Sequence, residues 1–270
     1  MEWDEGEFEA SPFEFGNVTA ADLRASQIKT PDCWLANFIY PGSLTLIHAA
    51  PGTGKTPFTM QLVNAAMGYN NLFNWRKELT HKAASCYYMD GELPLHLLKR
   101  NLLANFHKDA EVTFFNMAKL YKKGIHGFDL SDAYWMDALR LELDKRKPDI
   151  LVLDNRSNFF KGEENSNDDA IKFNDYLVEL REDGPAIILD HHQGKMGQSR
   201  GASAIKDIMD NVIRLDWVEP DENISQDHFK FAVKFEKVRA GYHRDFNVGP
   251  SGFEVTAKIQ LTGGIMMFNN

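Results

Sequence analysis

Cysteine is scarce in this 270-residue chain: Cys33 and Cys86 are the only two. Two cysteines exclude the disulfide framework that staples small secreted domains, and they favour a reducing compartment. Long apolar runs are missing too, none approaching the roughly 20 residues needed to cross a bilayer. The first 17 residues contain no Lys or Arg but hold six carboxylates, the reverse of a basic-then-apolar secretory signal. The expectation is a cytoplasmic protein without a membrane partner. Positive charge is not in excess either, with 30 Lys and Arg against 39 Asp and Glu and a formal net charge of -9. That argues against a protein whose whole surface coats nucleic acid, yet it leaves room for a local basic loop.

No repeat period appears, and no long Pro, Gly or Ser linker divides the chain. Residues 1–30 read as an acidic arm, either disordered or docking Phe8, Phe13 and Phe15 on a neighbouring subunit. Residues 31–270 read as one domain. From Gly42 onward short apolar runs alternate with helical spacing. Strands are expected at Ser43–Ala49, Ala83–Met89, Val112–Met117, Ile150–Asp154 and Ala186–Asp190. Helices are expected at Thr56–Met67, from Pro94 to about Phe106, from a cap at Ser131 or Asp132 to Lys147, and at Asp168–Glu182, the last with Ser166 or Asn167 as its cap. Continuous apolar strands between helices imply an α/β fold, a mostly parallel sheet flanked by helices with right-handed crossovers. Near the C-terminus, His228–Val238 alternates Phe229, Phe231, Val233 and Phe235, and Gly241–Val255 can return beside it as an antiparallel hairpin.

The octet Ala49-Ala50-Pro51-Gly52-Thr53-Gly54-Lys55-Thr56 fits the Walker A pattern, with Ala49 where a first glycine is usual. Gly52 and Gly54 let the backbone curl until its N–H groups face phosphate oxygens, and the helix that follows adds its dipole. Lys55 then reaches the β- and γ-phosphates of ATP, and the Thr56 hydroxyl ligates Mg2+. The ATP-binding residues are thus Ala50 to Thr56. Pro57 falls in the first helical turn, where its missing N–H costs little. Asp154, ending Ile150-Leu-Val-Leu-Asp154, supplies the carboxylate behind the metal.

Hydrolysis also needs a base for the attacking water. Tyr88-Met-Asp-Gly-Glu92 offers Glu92, although Asp-Gly is a favoured turn pair and Asp90 is the alternative. His191-His192-Gln193 follows the fifth strand. A histidine there can hydrogen-bond a γ-phosphate, or it can belong to an ordinary polar loop. Adjacent histidines on a strand face opposite ways, which argues against a zinc pair.

Taken together, APGTGKT, YMDGEL, ILVLDN, DHHQGK…RGAS and FEKVRAG resemble the RecA-like ATPases, and most of all the plasmid RepA-type hexameric replicative helicases and their phage relatives. The likeness runs from about Pro31 to Gly241. It implies a RecA-like P-loop core in which Glu92 activates water and His192 senses the γ-phosphate, on a strand lying between those of the P-loop and Asp154. Lys237 and Arg239 match a pair that such hexamers project into the neighbouring subunit's ATP, although two solvated charges at a strand end would look the same. The segments Asn155–Asp169 (Arg156, Phe159, Phe160, Lys161) and Gln193–Lys206 (Lys195, Arg200, Lys206) match the DNA loops, the second being less acidic. The resemblance implies an ATP-driven homo-oligomeric ring, a hexamer, moving on single-stranded DNA. A filament-forming recombination or annealing ATPase and an ATP-gated regulator without nucleic acid are the alternatives.

Overall fold

In a computed structural model of the chain, the residues described are 16–29, 31–36, 38–70, 72–75, 80–162, 167–182, 184–192, 205–219, 228–239, 253–259 and 266–269. The chain divides into two compact units, Met1–Pro31 and Asp32–Asn270. In the first, helix α1 (Ala20–Ala25) begins with a capping box: the Asp22 N–H donates to Thr19 Oγ1 at 3.1 Å, and the Thr19 N–H donates to an Asp22 carboxylate oxygen at 3.0 Å. None of its residues is buried. Phe8, Phe13 and Phe15 lie outside the described residues.

The second unit is built on a nine-stranded sheet of order β3-β2-β4-β5-β1-β6-β7-β8-β9. The strands are β1 (Leu44–Ala49), β2 (Ser85–Asp90), β3 (Glu111–Asn116), β4 (Ile150–Asp154), β5 (Ala186–His192), β6 (Asn211–Val218), β7 (His228–Val238), β8 (Phe253–Ile259) and β9 (Met266–Asn269). From β3 to β6 all neighbours are parallel, and from β6 to β9 all are antiparallel. The strand β5 does lie between β1 and β4. Along β4, Ile150 and Val152 enter one apolar cluster while Leu151 and Leu153 enter another on the opposite face. Burial on both faces is the physical reason these strands read as unbroken apolar runs.

Helices α2 (Lys55–Ala66), α3 (Leu95–Asn105), α4 (Met117–Lys122), α5 (Ala133–Arg146), α6 (Arg156–Phe159) and α7 (Asn167–Glu182) cover the sheet. Asp132 caps α5 by accepting from the Tyr134 N–H at 2.9 Å, and Lys147 ends it in the left-handed region just before Pro148. Asn167 is the first residue of α7 rather than its cap. Among the described residues no helix is long and apolar enough to cross a membrane.

The C-terminal hairpin is longer than expected. Its returning strand is β8, which includes the expected residues Phe253–Val255, the rest of that segment lying outside the described residues, and β6 and β9 extend the same sheet. On β6, Ile213 and Leu215 are buried while Arg214 and Asp216 form a polar row with Lys234 and Glu236 of β7. That alternation is a strand signal, masked by the charges it carries.

Candidate active site

Four strand ends meet at the carboxyl edge of the parallel sheet, where open α/β sheets take their ligands. The register sets Ala49 beside His192 and Asp90 beside Asp154. Between β1 and α2 the chain turns through Gly52 at φ +80° and Gly54 at φ +99°, values that side-chain-bearing residues rarely adopt. A Cβ built on Gly52 would meet nothing within 4 Å. No side chain caps the start of α2, so the first-turn N–H groups are left for an anion. The Thr53 hydroxyl instead ties the loop together, donating to the Ala50 carbonyl at 2.9 Å.

Lys55 is almost wholly buried, with its amino group 3.4 Å from His192 Nδ1. Asp154 is buried beside it and accepts hydrogen bonds from Thr56 and, at 2.8 Å, from the Tyr88 hydroxyl. Burial holds its carboxyl above the usual range, against the pull of Thr56 and Lys55. An anion cradle, an amino group and a hydroxyl beside a carboxylate are the donor set that a nucleoside triphosphate with magnesium requires.

Behind Asp154 lies a residue that sequence reasoning missed. Asp190 is fully buried, accepts from the Thr59 hydroxyl at 2.9 Å and shares a hydrogen bond with Asp154. Burial and the neighbouring carboxylate push it well above its ordinary value. The parallel endings ILVLD and AIILD on adjacent strands were the available signal.

The turn after β2 separates Asp90 from Glu92. Asp90 is buried and accepts from the backbone N–H groups of Glu92 and Leu93 and from Asn116, so it shapes the turn. Glu92 is left half-exposed, with Oε2 3.0 Å from Asn155 Nδ2 and 3.8 Å from His192 Nε2. Gly91 sits so close to α6 that a Cβ on it would fall 2.6 Å from Asn158 Cβ, and its N–H donates to the Asp154 carbonyl at 2.8 Å. At this glycine of the DGE triplet, any Cβ requires the turn or α6 to shift.

The two histidines face opposite ways, as strand geometry requires. His192 turns to the site, and burial followed by Lys55 depresses its pKa. His191 is pushed down to about 3, first by burial and then by Arg156.

The structure brings Lys55, Thr56, Glu92, Asp154 and His192 together, but not Lys206, Lys237 or Arg239. The Lys237 amino group donates to the carbonyls of Lys206 and Asp207 at 2.9 Å, and the Arg239 guanidinium pairs with Asp210 at 3.2 Å. Asp210 in turn accepts from the Leu44 N–H, at the start of β1. Six-residue β1 separates its two ends by roughly 17 Å at about 3.3 Å per residue, so Arg239 lies at the far edge from its own P-loop. The Lys206 amino group pairs with Glu236 at 2.7 Å. Lys195 and Arg200 lie outside the described residues.

Part of one expected DNA segment, residues 156–160, is corrected. Arg156, Phe159 and Phe160 are buried, and the Arg156 guanidinium lies over the rings of Phe160 and Phe173 at 4.9 and 5.6 Å. Cation–π packing in the core, not phosphate binding, explains Arg156; only Lys161 of that set is exposed.

The chain is similar to known proteins in sequence and in fold. The sequence matches the AAA domain family over residues 9–198, which spans the P-loop, Glu92, Asp154 and His192 and stops before Lys237 and Arg239. No curated protein matches the chain. Among solved structures, a KaiC-like protein of the archaeon Pyrococcus horikoshii superposes with a TM-score of 0.56 at 17% identity, covering 89% of this chain and 99% of that one. The flagellar accessory protein FlaH of Methanocaldococcus jannaschii gives 0.52 at 15% identity, covering 86% and 91%. On this match, fold and site, the chain belongs to the AAA domain family, as a P-loop ATPase of RecA-like fold.

Proposed function

We propose that the chain is an ATP-driven oligomeric motor on single-stranded DNA, of the kind represented by plasmid RepA-type hexameric replicative helicases. The hydrolytic part rests on one observation: Lys55, Thr56, Asp154, Glu92 and His192 converge on a single sheet edge. The P-loop N–H groups and Lys55 bind the triphosphate, and Glu92 takes the proton of the attacking water. Thr56 and, through a water shell, Asp154 would hold magnesium, which would supply neutralising charge for the triphosphate. His192 faces the terminal phosphate. Lys237 and Arg239 act on the ATP of the neighbouring subunit, since they lie a full strand length from their own. A positive charge supplied in this way stabilises the transition state and ties hydrolysis to assembly.

The DNA part rests on the resemblance of DHHQGK…RGAS to the helicase loops, with Lys195, Arg200 and Lys206 as phosphate contacts. A second reading, an ATP-gated oligomeric regulator without nucleic acid, draws on the net charge of -9, the burial of Arg156 and the pairing of Lys206 with Glu236.

Steady-state ATP hydrolysis with and without single-stranded DNA separates the two. The motor reading expects turnover to rise with added strand, and Arg200→Ala to remove the rise while sparing basal turnover. Turnover indifferent to DNA overturns it in favour of the regulator. Glu92→Gln should lower kcat by about 10²–10⁴-fold with nucleotide still bound, and wild-type turnover in that variant would remove Glu92 from its role.

A further inference from the structure

Asn155, directly after Asp154, is buried and stands between the two groups that act on the terminal phosphate and its water. Its amide nitrogen lies 3.0 Å from Glu92 Oε2 and 2.9 Å from His192 Nε2. An amide nitrogen carries two protons, so both contacts can be donations, one to the carboxylate and one to the imidazole. The opposite orientation would set Asn155 Oδ1 against Glu92 Oε2, acceptor against acceptor. The orientation is therefore fixed by Glu92, and it leaves Oδ1 buried without a hydrogen-bond partner among the described residues.

We propose that Asn155 is a positioning residue that joins Glu92 to His192 and fixes the His192 ring with its proton on Nδ1. The inference rests on the assignment of Glu92 and His192 made above. The reasoning concerns which nitrogen accepts. Neutral imidazole has one N–H, and the hydrogen bond at one nitrogen sets the tautomer. With Nε2 accepting from Asn155, the proton resides on Nδ1. Nδ1 lies 3.4 Å from the Lys55 amino group, so two donors face one another across a long gap. The acceptor that suits both is an anionic oxygen, which is what a terminal phosphate presents between them. In this arrangement a phosphate oxygen, the His192 ring, the Asn155 amide and the Glu92 carboxylate form one chain of hydrogen bonds. Loss or capture of the phosphate is then felt at the base through Asn155 rather than through the metal.

The test is nitrogen NMR on the full chain labelled with 15N-histidine, the His192 signal being assigned with His192→Gln. Wild type should show His192 as the neutral tautomer protonated at Nδ1, with and without ADP. Asn155→Asp replaces the donor by an acceptor of the same shape, so the proton should move to Nε2; Asn155→Ala should show no preference for Nδ1. In both variants kcat should fall about 10–100-fold while the ATP KM stays within about threefold, the signature of an interaction made in the transition state. An Nε2-protonated ring in wild type, or an unchanged tautomer in Asn155→Asp, overturns the inference whether or not the protein hydrolyses ATP. Full kcat in both variants overturns it too, provided Glu92→Gln is impaired. If Glu92→Gln turns over normally, the base assignment fails instead, and the tautomer shift alone decides the Asn155 bridge.

Discussion

His191 is more deeply buried than its neighbour His192. It is buried, its Nδ1 has no hydrogen-bond partner among the described residues, and burial with nearby Arg156 lowers its pKa to about 3. Unfolded, the same ring takes a proton below its ordinary 6.5. Between those values the unfolded chain binds more protons than the folded one, so stability falls as pH drops through the window. The slope for one group is about 1.4 kcal/mol per pH unit. His191→Leu has no proton to gain. Urea unfolding at pH 7 and pH 5 should therefore show a smaller acid loss in the variant than in wild type, and equal losses would contradict this. The same scale shows what sequence reveals about single residues. Lys55, Thr56 and Gly54 were legible because their chemistry depends on immediate neighbours in the chain. Asp190, Tyr88 and Asn155 were not, because each acts across strands that only the fold brings together.

The turn after β2 is best understood as one element pressed against another. Gly91 has ordinary backbone freedom, yet a Cβ there would fall 2.6 Å from Asn158 Cβ and 3.2 Å from the Phe159 ring. Asn158 Cβ is fixed to the α6 backbone and cannot rotate aside, so Gly91→Ala must displace the turn or the helix. Overpacking of this sort costs about 1–3 kcal/mol. It should also lower kcat by moving Glu92, while the P-loop keeps its affinity for nucleotide. Urea midpoints together with nucleotide titration check both halves; an unchanged midpoint would show that the contact relaxes freely. Elements with a pattern confined to themselves were read correctly: β1, β2, β4 and β5 as apolar runs, α5 from its cap, Asp132 of the two candidates Ser131 and Asp132, to its Pro148 stop. What escaped was set by packing. The strand β6 hides behind Arg214 and Asp216, whose charges are matched by β7, and α4 is a short helix at the edge of the sheet. Residues 155–160 looked like a basic aromatic loop because a sequence cannot tell an arginine stacked in a core from one facing solvent.

At the scale of the whole molecule, the decisive feature is a separation. Lys55 and Glu92 stand at one edge of the parallel sheet, Arg239 at the other, held by buried Asp210 together with Arg181. One chain cannot bring them onto one triphosphate without taking the sheet apart. If both serve hydrolysis, the site forms between two copies, and a heterologous contact of that kind closes into a ring or runs on as a filament. Mixing then gives a prediction that single variants cannot. Lys55→Ala alone should fail to bind ATP, and Arg239→Ala alone should bind ATP but turn it over about 10³–10⁵-fold more slowly. Combined, the two pools form some contacts that pair an intact P-loop from the Arg239→Ala chain with an intact arginine from the Lys55→Ala chain. Those sites are complete, so activity should reappear on mixing and fall again on dilution as the assembly dissociates. A mixture that stays as inactive as its components would place Arg239 outside the catalytic site. Its ion pair with Asp210 would then be a structural clamp between β7 and the start of β1, and Arg239→Ala should lower the urea midpoint instead.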